Sequence, residues 1–292
     1  MSSLLRLKGQ VFVLTLAALL AGCRSEFDHR AVDLDDEFAR ASNLGQPMIV
    51  LVTESGASRA DDRARSLFQT MAAKGESEKF APIVLDLSVS RNRAVAARFH
   101  VTNTPLLLGL TPRGLIVTRD EKPITKSLLL HRIAEVARRG DELDARLASL
   151  EDAAARDRND ATAQWQLANF LLAQQNMREA IPILRLIARA ESADTALRVR
   201  AWVELARAHL WIAEPEKGRH EAEDLIAVLG PKAPAARAGG NLVLGVQDAN
   251  AKHLALARRE LQAAIAAAPE SDYANQAEET LAKIPGEGKF RQ

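Results

Sequence analysis

The chain has few cysteines and few aromatic residues. Cys23 is its single cysteine, and Phe, Trp and Tyr together make up 4% of 292 residues. A single thiol excludes an intramolecular disulfide, so the folded parts of the chain must be stabilised by packing alone. The scarcity of aromatic residues, beside an abundance of Ala, Leu and Arg, favours helix over sheet in most of the chain.

The chain also lacks a large excess of charge of either sign, because 39 Lys and Arg residues against 38 Asp and Glu residues leave a net charge of +1. Nucleic-acid-binding proteins concentrate positive charge, so we expect no nucleic-acid partner. The 6 histidines are scattered without metal-ligand spacing, and no glycine-rich phosphate loop follows a strand. We therefore expect no metal and no cofactor.

A single hydrophobic run lies near the amino terminus. Arg6 and Lys8 precede the run Val11–Leu20, and the small residues Ala21 and Gly22 follow it. This three-part pattern predicts a secretory signal peptide over residues 1–22, and the run is shorter than the roughly 20 residues that span a bilayer. One interpretation is an ordinary signal peptide, in which case Cys23 is an incidental buried cysteine.

The segment Leu20-Ala21-Gly22-Cys23 resembles the lipobox of bacterial lipoproteins. The resemblance implies that the Cys23 thiol receives a diacylglycerol and becomes the mature amino terminus, so that acyl chains such as palmitate anchor the protein. In well-studied envelopes an aspartate after this cysteine retains lipoproteins in the inner membrane. Arg24 stands here instead, which favours the outer membrane, facing the periplasm. Residues 23–45 are predicted to be the lipidated cysteine and a polar tether.

Residues 46–140 are predicted to form an α/β sandwich. The apolar, β-branched runs PMIVLVTES and FAPIVLDLS indicate buried strands, and TPLLLGLTPRGLIVTR indicates a hairpin. The segments ASRADDRARSLFQTMAAKG and RNRAVAARF indicate helices, and a closing helix is predicted from Ile124 to Arg138. Alternating strands and helices before a hairpin are typical of an α/β sandwich.

The stretch from Ala97 to Leu108, with the turn Thr111-Pro112-Arg113-Gly114, resembles the thioredoxin family. The resemblance implies that Pro105 is the cis-proline of that family. Family redox enzymes carry Cys-x-x-Cys where the first long strand meets its helix. The corresponding positions here are Gly56, Ala57, Ser58 and Arg59. Disulfide exchange needs a thiolate, so we expect a redox-inactive module.

The hydroxyl and carboxyl groups around this junction allow two interpretations. We interpret Ser55 and Ser58 as helix caps, and Asp61 and Asp62 as first-turn acids that complement the helix dipole. The alternative is a thiol-independent enzyme that uses one of the two serines, which requires a base within hydrogen-bond reach. A small-ligand carrier is a third possibility.

From about Asp141 the hydrophobic periodicity is helical, and residues 141–160 are predicted to be a linker helix. Beyond it, the pairs Leu167-Ala168, Leu205-Ala206 and Leu244-Gly245 recur at spacings of 38 and 39 residues. A small residue follows each pair 12 residues later, at Ala180, Gly218 and Ala257. Small residues at these places predict helix pairs in close contact, and Gly239-Gly240 is predicted to permit another close approach.

These units resemble tetratricopeptide (TPR) repeats. The resemblance implies about three repeats in residues 161–285, ending in a capping helix from Asp272 to Ile284, before a tail at residues 286–292. The alternative is a generic helical bundle with an alanine-rich core. By resemblance, the repeats form an all-α solenoid whose concave face holds a peptide or a partner's helix. The residues predicted on that face are Gln166, Asn169, Gln174, Glu204, His209, Asn241 and Gln247.

A thioredoxin-like module followed by TPR repeats resembles bacterial chaperone-type thioredoxins. The resemblance implies a non-enzymatic protein that binds other proteins through its repeats. Together with the lipobox, it predicts a membrane-anchored periplasmic scaffold or chaperone-like adaptor. Its expected partners are proteins or peptides of the cell envelope.

Overall fold

The computed structural model describes residues 31–73, 80–99, 101–121 and 123–285. The predicted signal peptide, the proposed lipidation site Cys23 and the tail at residues 286–292 lie outside these ranges. The chain divides into two compact units, the first ending at Asp144 and the second beginning at Ala145. The first is an α/β unit and the second consists of helices, which confirms the predicted order of the two classes.

The α/β unit is built on a four-stranded sheet whose strand order is β2-β1-β3-β4. Strands β1 and β2 are parallel, whereas β3 is antiparallel to both β1 and β4. The elements in chain order are α1 (Leu34–Leu44), β1 (Met48–Thr53), α2 (Arg59–Ala73), β2 (Ala81–Asp86), α3 (Ser90–Ala96), a 3-10 turn (Ala97–Phe99), β3 (Leu106–Leu110), β4 (Ile116–Asp120) and α4 (Lys126–Arg156).

Helices cover both faces of this sheet. Every residue of β1 is buried, which explains why its sequence is continuously apolar rather than alternating. Met48, Val50 and Val52 belong to the core on one face. Ile49 and Leu51 belong to the core on the other face, packed with side chains of α2 and α4. The central strand therefore joins two separate hydrophobic cores.

Helix α1 lies where the sequence predicted a tether, so that prediction is wrong for residues 34–44. Asp33 caps the helix by accepting a hydrogen bond from the Asp35 backbone N–H, and Gly45 ends it with φ of 61°. Leu34 and Ala41 are buried in the core of the α/β unit. Three adjacent acids in the first turn made the segment look polar, although acids there favour a helix.

Helix α4 is a single helix of 31 residues. The sequence indicated two helices, a closing helix over 124–138 and a linker helix over 141–160, with a boundary at Gly140. The structure carries the helix through Gly140, where a glycine costs only about 1 kcal/mol relative to alanine. Leu129 and Val136 are buried in the first unit, and Leu147 and Ala154 in the second.

The second unit begins with the end of α4 and continues as helices in succession. They are α5 (Ala161–Ala173), α6 (Met177–Arg189), α7 (Thr195–Trp211), α8 (Pro215–Leu229), α9 (Pro234–Asn250), α10 (Leu254–Ala267) and α11 (Asp272–Lys283). Each of the helices α5 to α11 packs against the next, and α9 also packs against α7 and α11. This sequential packing buries a continuous core along the unit.

Three turns in this unit share one backbone conformation. They connect α5 to α6, α7 to α8 and α9 to α10, and their central residues Gln175, Ala213 and Lys252 have φ of 57°, 59° and 64°. The next residue in each turn donates its backbone N–H to the carbonyl five positions earlier, at 2.8, 2.9 and 2.8 Å. The central residues are 38 and 39 positions apart, so the structural repeat has the spacing found in the sequence.

Small residues bring paired helices together as the sequence predicted. A Cβ added to Gly218 would lie 2.9 Å from the Ala206 carbonyl oxygen, and one added to Gly245 would lie 3.2 Å from the Ala257 carbonyl oxygen. A Cβ on Gly239 would lie 2.6 Å from Val203 Cγ2. The predicted close approach at these glycines is therefore confirmed.

Candidate functional site

The first candidate site lies at the carboxyl ends of β1 and β2. Because these strands are parallel, the junction from β1 to α2 lies beside the end of β2. Thr53 pairs with Asp86 in the register, and Ser55 follows two residues after Thr53. This is where the resemblance to thioredoxins located the degenerate redox motif.

Asp86 is the centre of a buried polar network at this edge. Its Oδ1 accepts hydrogen bonds from the backbone N–H groups of Ser55 (3.1 Å) and Ser88 (3.0 Å). Its Oδ2 accepts from the Ser55 hydroxyl and pairs with Arg65 Nη2 at 3.0 Å. Arg65 Nη2 also donates to Thr53 Oγ1 at 2.9 Å. The network links β1, α2 and β2 at one point.

These hydrogen bonds determine the charge state of Asp86. Burial alone would raise the pKa of its carboxyl group, but the hydrogen bonds from Ser55 and Ser88 outweigh burial and hold that pKa well below its usual range. A general base works best when its pKa is near the operating pH. Asp86 is therefore a poor acceptor for the Ser55 proton, and the arrangement favours a structural role for this pair.

The two serines behave differently from each other. Ser58 Oγ accepts a hydrogen bond from the Asp61 backbone N–H at 3.1 Å, so its predicted role as a helix cap is confirmed. Ser55 donates its hydroxyl to Asp86 and does not cap α2, which corrects the prediction for Ser55. Asp61 is also buried, and it accepts from the Glu54 backbone N–H at 3.2 Å. Asp61 therefore holds the backbone of the junction after β1, in addition to complementing the helix dipole.

The remaining positions of the degenerate motif carry no buried functional group. Gly56, Ala57 and Arg59 are exposed, and Gly56 adopts a left-handed φ of 74°. The Thr104–Pro105 peptide bond is cis, at the position that the resemblance implied. Pro105 is buried immediately before β3.

The second candidate site is a groove in the helical unit, which we call the inner groove. It encloses about 460 Å³ and is lined by side chains of α5, α7, α9 and α11 together with residues just before α11. Its apolar lining consists of Trp165, Ala196, Val199, Ala235 and Tyr273. Its charged and amide lining consists of Arg200, Glu204, Arg207, Glu270, Asp272 and Gln276.

Two sets of contacts connect the helices that line the inner groove. Arg207 Nη1 donates to Glu204 Oε1 at 2.9 Å, and its Nη2 donates to Gln276 Oε1 at 2.5 Å, which connects α7 to α11. Tyr273 lies over Gly239, since a Cβ at Gly239 would lie 3.5 Å from its ring. Burial raises the pKa of the Tyr273 phenol, so the phenol stays protonated at neutral pH.

Only one of the predicted concave-face residues lines the inner groove, and this residue is Glu204. Gln166 and Asn169 are exposed on α5, and Gln174 and Asn241 are half-buried. The predictions for His209 and Gln247 are wrong, because both side chains are buried. Sequence reasoning missed Arg207, which is two positions before His209 and points about 200° away from it around the helix.

His209 and Gln247 serve the packing between helices. Gln247 Nε2 donates to the Pro215 carbonyl oxygen at 3.0 Å. His209 Nδ1 lies 2.9 Å from Glu214 Oε2, and its Nε2 lies 3.1 Å from Arg185 Nη2. Because a guanidinium only donates, Nε2 must accept and Nδ1 must carry the proton.

A buried carboxylate completes this junction. Glu221 accepts a hydrogen bond from Trp202 Nε1 at 3.1 Å, and Arg185 Nη2 lies 3.3 Å from the other carboxylate oxygen. Trp202 is buried, whereas Trp165 is half-buried and lines the inner groove. The polar groups between α6, α7 and α8 are thus partnered within the unit.

Two further properties concern the described part of the chain. It contains no cluster of three or more His, Cys, Asp or Glu residues that would hold a metal ion. Within the same residues, no helix is both long enough and apolar enough to cross a membrane. No protein-family model matches the chain, and a search of curated proteins found no significant match.

Proposed function

We propose that this protein is a non-enzymatic, protein-binding scaffold that holds a partner's peptide or helix in the inner groove. One observation carries the proposal: the inner groove combines two aromatic side chains with three charged groups, Arg200, Glu270 and Asp272, that have no ion-pair partner among the described residues. Aromatic and arginine side chains dominate protein-binding surfaces, because they provide large contact areas and hydrogen bonds together.

We propose that the helical unit is a TPR-type solenoid. The proposal is supported by three turns of one conformation at intervals of 38 and 39 residues, and by the small-residue contacts within the helix pairs. The side chains of the inner groove come from alternate helices, α5, α7, α9 and α11. In a solenoid of helix pairs, alternate helices form one continuous surface, which is the surface used for binding.

We propose that the α/β unit is a thioredoxin-like module without redox activity. The strand order, with one parallel and two antiparallel pairings, and the cis peptide bond before β3 support this proposal. The junction after β1 carries no thiol, and the hydroxyl groups of Ser55 and Ser58 beside it donate to Asp86 and Asp61. Such a module fits a structural or binding role.

We also propose that Cys23 is lipidated and that the protein faces the periplasm from the outer membrane. The proposal rests on the lipobox-like segment at residues 20–23 and on Arg24 after the cysteine. It places the expected partners among the proteins of the cell envelope.

The binding proposal is tested by site-specific crosslinking in cells. A photoreactive amino acid is introduced at Ala196, which is exposed and lines the inner groove, and at Ala227 as a matched control, which is exposed on α8 outside the groove. We expect a discrete crosslinked protein from position 196, lost when Trp165→Ala and Tyr273→Ala are combined. Equal crosslinking from both positions would contradict a role for the groove.

The enzyme alternative is tested by replacing both hydroxyl groups. Ser55→Ala and Ser58→Ala together should leave crosslinking at position 196 and any envelope phenotype of a deletion strain unchanged, because the groove lies in the other unit. Loss of the phenotype with crosslinking and stability intact would instead indicate catalysis by one of the serines.

A further inference from the structure

We propose that the inner groove selects a segment in which one apolar side chain stands between an acidic and a basic side chain. This inference rests on the proposed function, since it specifies the chemistry of the partner in that same groove. It is carried by charges of opposite sign that line one cavity from different segments and have no ion-pair partner among the described residues.

The positive charge without an ion pair is Arg200 on α7. It lines the inner groove and is exposed, and it forms no hydrogen bond or ion pair with the described residues. The other groove arginine, Arg207, is already engaged by Glu204 and Gln276. Arg200 is therefore the guanidinium available to an acidic side chain of a partner.

The negative charges without an ion pair are Glu270 and Asp272, at the start of α11. Both are exposed and line the same cavity, and neither forms an ion pair within the described ranges. A segment with charges of one sign only would be attracted either by Arg200 or by the two carboxylates, and repelled by the other. A segment with charges of both signs can pair with Arg200 and with a carboxylate at once.

The apolar lining provides the place for the central side chain. Trp165, Val199 and Tyr273 belong to α5, α7 and α11, so the apolar surface connects the helices that carry the charges. A cavity of about 460 Å³ lies in the lower part of the size range of ligand pockets. This volume suits one large side chain of the bound segment together with its neighbours.

The test uses four synthetic peptides and the intact protein in detergent. The peptides have equal length and a central Leu. The residues before and after this Leu are Glu and Lys, Lys and Glu, Glu and Glu, or Lys and Lys, respectively. Affinity is measured by fluorescence anisotropy of the labelled peptide at low and high salt. Exposed charge contacts are worth a few-fold each, so we expect the better mixed peptide to bind about tenfold tighter than either like-charged peptide. The difference should shrink at high salt.

Charge reversal should change the preference in a predictable direction. Arg200→Glu should make the Lys and Lys peptide the tightest binder. Glu270 lies outside a helix, and Glu270→Lys should move the preference toward the Glu and Glu peptide. Arg178→Glu, an exposed change on α6 away from the groove, should keep the original order. Unchanged circular dichroism and thermal unfolding would show that the variants remain folded.

The possible failures are distinguishable. If the four peptides bind equally, and this binding is lost when Trp165→Ala and Tyr273→Ala are combined, the charge selection is rejected and the binding function remains. If no peptide binds, the proposed charge selection is rejected. The absence of a groove-specific crosslink in cells would additionally reject the binding function.

Discussion

At the residue scale, Asp86 shows how a junction without thiols is stabilised. Its carboxylate accepts hydrogen bonds from Ser55 and Ser88 and pairs with Arg65. The Asp86 carbonyl oxygen accepts from Asn92 Nδ2 at 3.2 Å, and Asn92 Oδ1 accepts from the Val32 backbone N–H at 2.8 Å. Asp86 and Asn92 thus connect the end of β2 to the junction after β1, to α2 and to the segment before α1.

Asp86→Asn should reduce the free energy of unfolding by about 3 kcal/mol at pH 7, because it leaves the half-buried Arg65 without its counter-charge. The pKa of Asp86 is lower in the folded chain than in the unfolded chain. Its contribution is therefore complete above the unfolded pKa, near 3.9, and is lost as the pH falls further. Urea unfolding at pH 7 and pH 3 should show a smaller difference between wild type and variant at pH 3.

The matched control for this experiment is Asp62→Asn, an exposed carboxylate next to the buried Asp61. It should change the unfolding free energy by less than about 0.5 kcal/mol at either pH. An Asp86→Asn effect of the same size at pH 3 and pH 7 would contradict the assignment of the lowered pKa.

Gly239→Ala should destabilise the helical unit by about 1–3 kcal/mol, the usual range for overpacking. The new methyl group would lie 2.6 Å from Val203 Cγ2 and 3.5 Å from the Tyr273 ring. The distance to the Tyr273 ring is an ordinary van der Waals contact, so we expect peptide binding in the inner groove to be nearly unchanged. Arg237→Ala, exposed on the same helix, is the control, and thermal unfolding with anisotropy measures both effects. Unchanged stability in Gly239→Ala would show that α7 and α9 are not closely packed there.

At the element scale, the three similar turns show how one backbone solution is repeated. Each turn places a residue other than glycine at positive φ, where L residues pay a steric penalty. The repeated hydrogen bond from the following residue stabilises this conformation. Polar side chains occupy two of the three positions and alanine occupies the third.

Ala213→Gly should therefore raise the free energy of unfolding by up to about 1 kcal/mol, since glycine adopts φ of 59° without the steric penalty. Ala148→Gly provides the matched opposite, because Ala148 is exposed within α4 and glycine there should cost about 1 kcal/mol. Chemical denaturation of both variants measures the two effects. A loss of stability in Ala213→Gly would contradict the turn geometry.

At the scale of the whole molecule, the α/β unit begins close to the proposed lipid attachment. Val32 is buried and hydrogen-bonded to Asn92, and only residues 24–31 separate it from Cys23. Nine residue steps span at most about 30 Å when fully extended. If Cys23 is lipidated, Val32 stays within about that distance of the lipid attachment.

Cys23→Ser should abolish the incorporation of labelled palmitate in cells, because no other thiol is present in the chain. Ser25→Ala, two positions later, should retain the label. Palmitate incorporation in Cys23→Ser would contradict lipidation at this position, and its absence from the wild-type protein would contradict the lipobox interpretation itself.

Local sequence patterns determined the types of most elements. Continuous apolar runs predicted β1 and β2, because strands buried on both faces need no polar positions. The spacing of 38 and 39 residues predicted the repeated helix pairs, because small residues are needed wherever two helices approach closely. These features depend on neighbours in the chain. The resemblance to the thioredoxin family, rather than a local pattern, implied the cis peptide bond found at Pro105.

The placement of polar side chains depended on contacts between distant segments. Asp86 meets Ser55 across 31 positions, and Arg185 meets Glu221 across 36. Whether His209 is buried or exposed depends on such partners, and a residue two positions away faces the opposite side of the same helix. The sequence by itself therefore determined most of the secondary structure and the spacing of the repeat, whereas packing between segments decided which polar groups are buried and which line the inner groove.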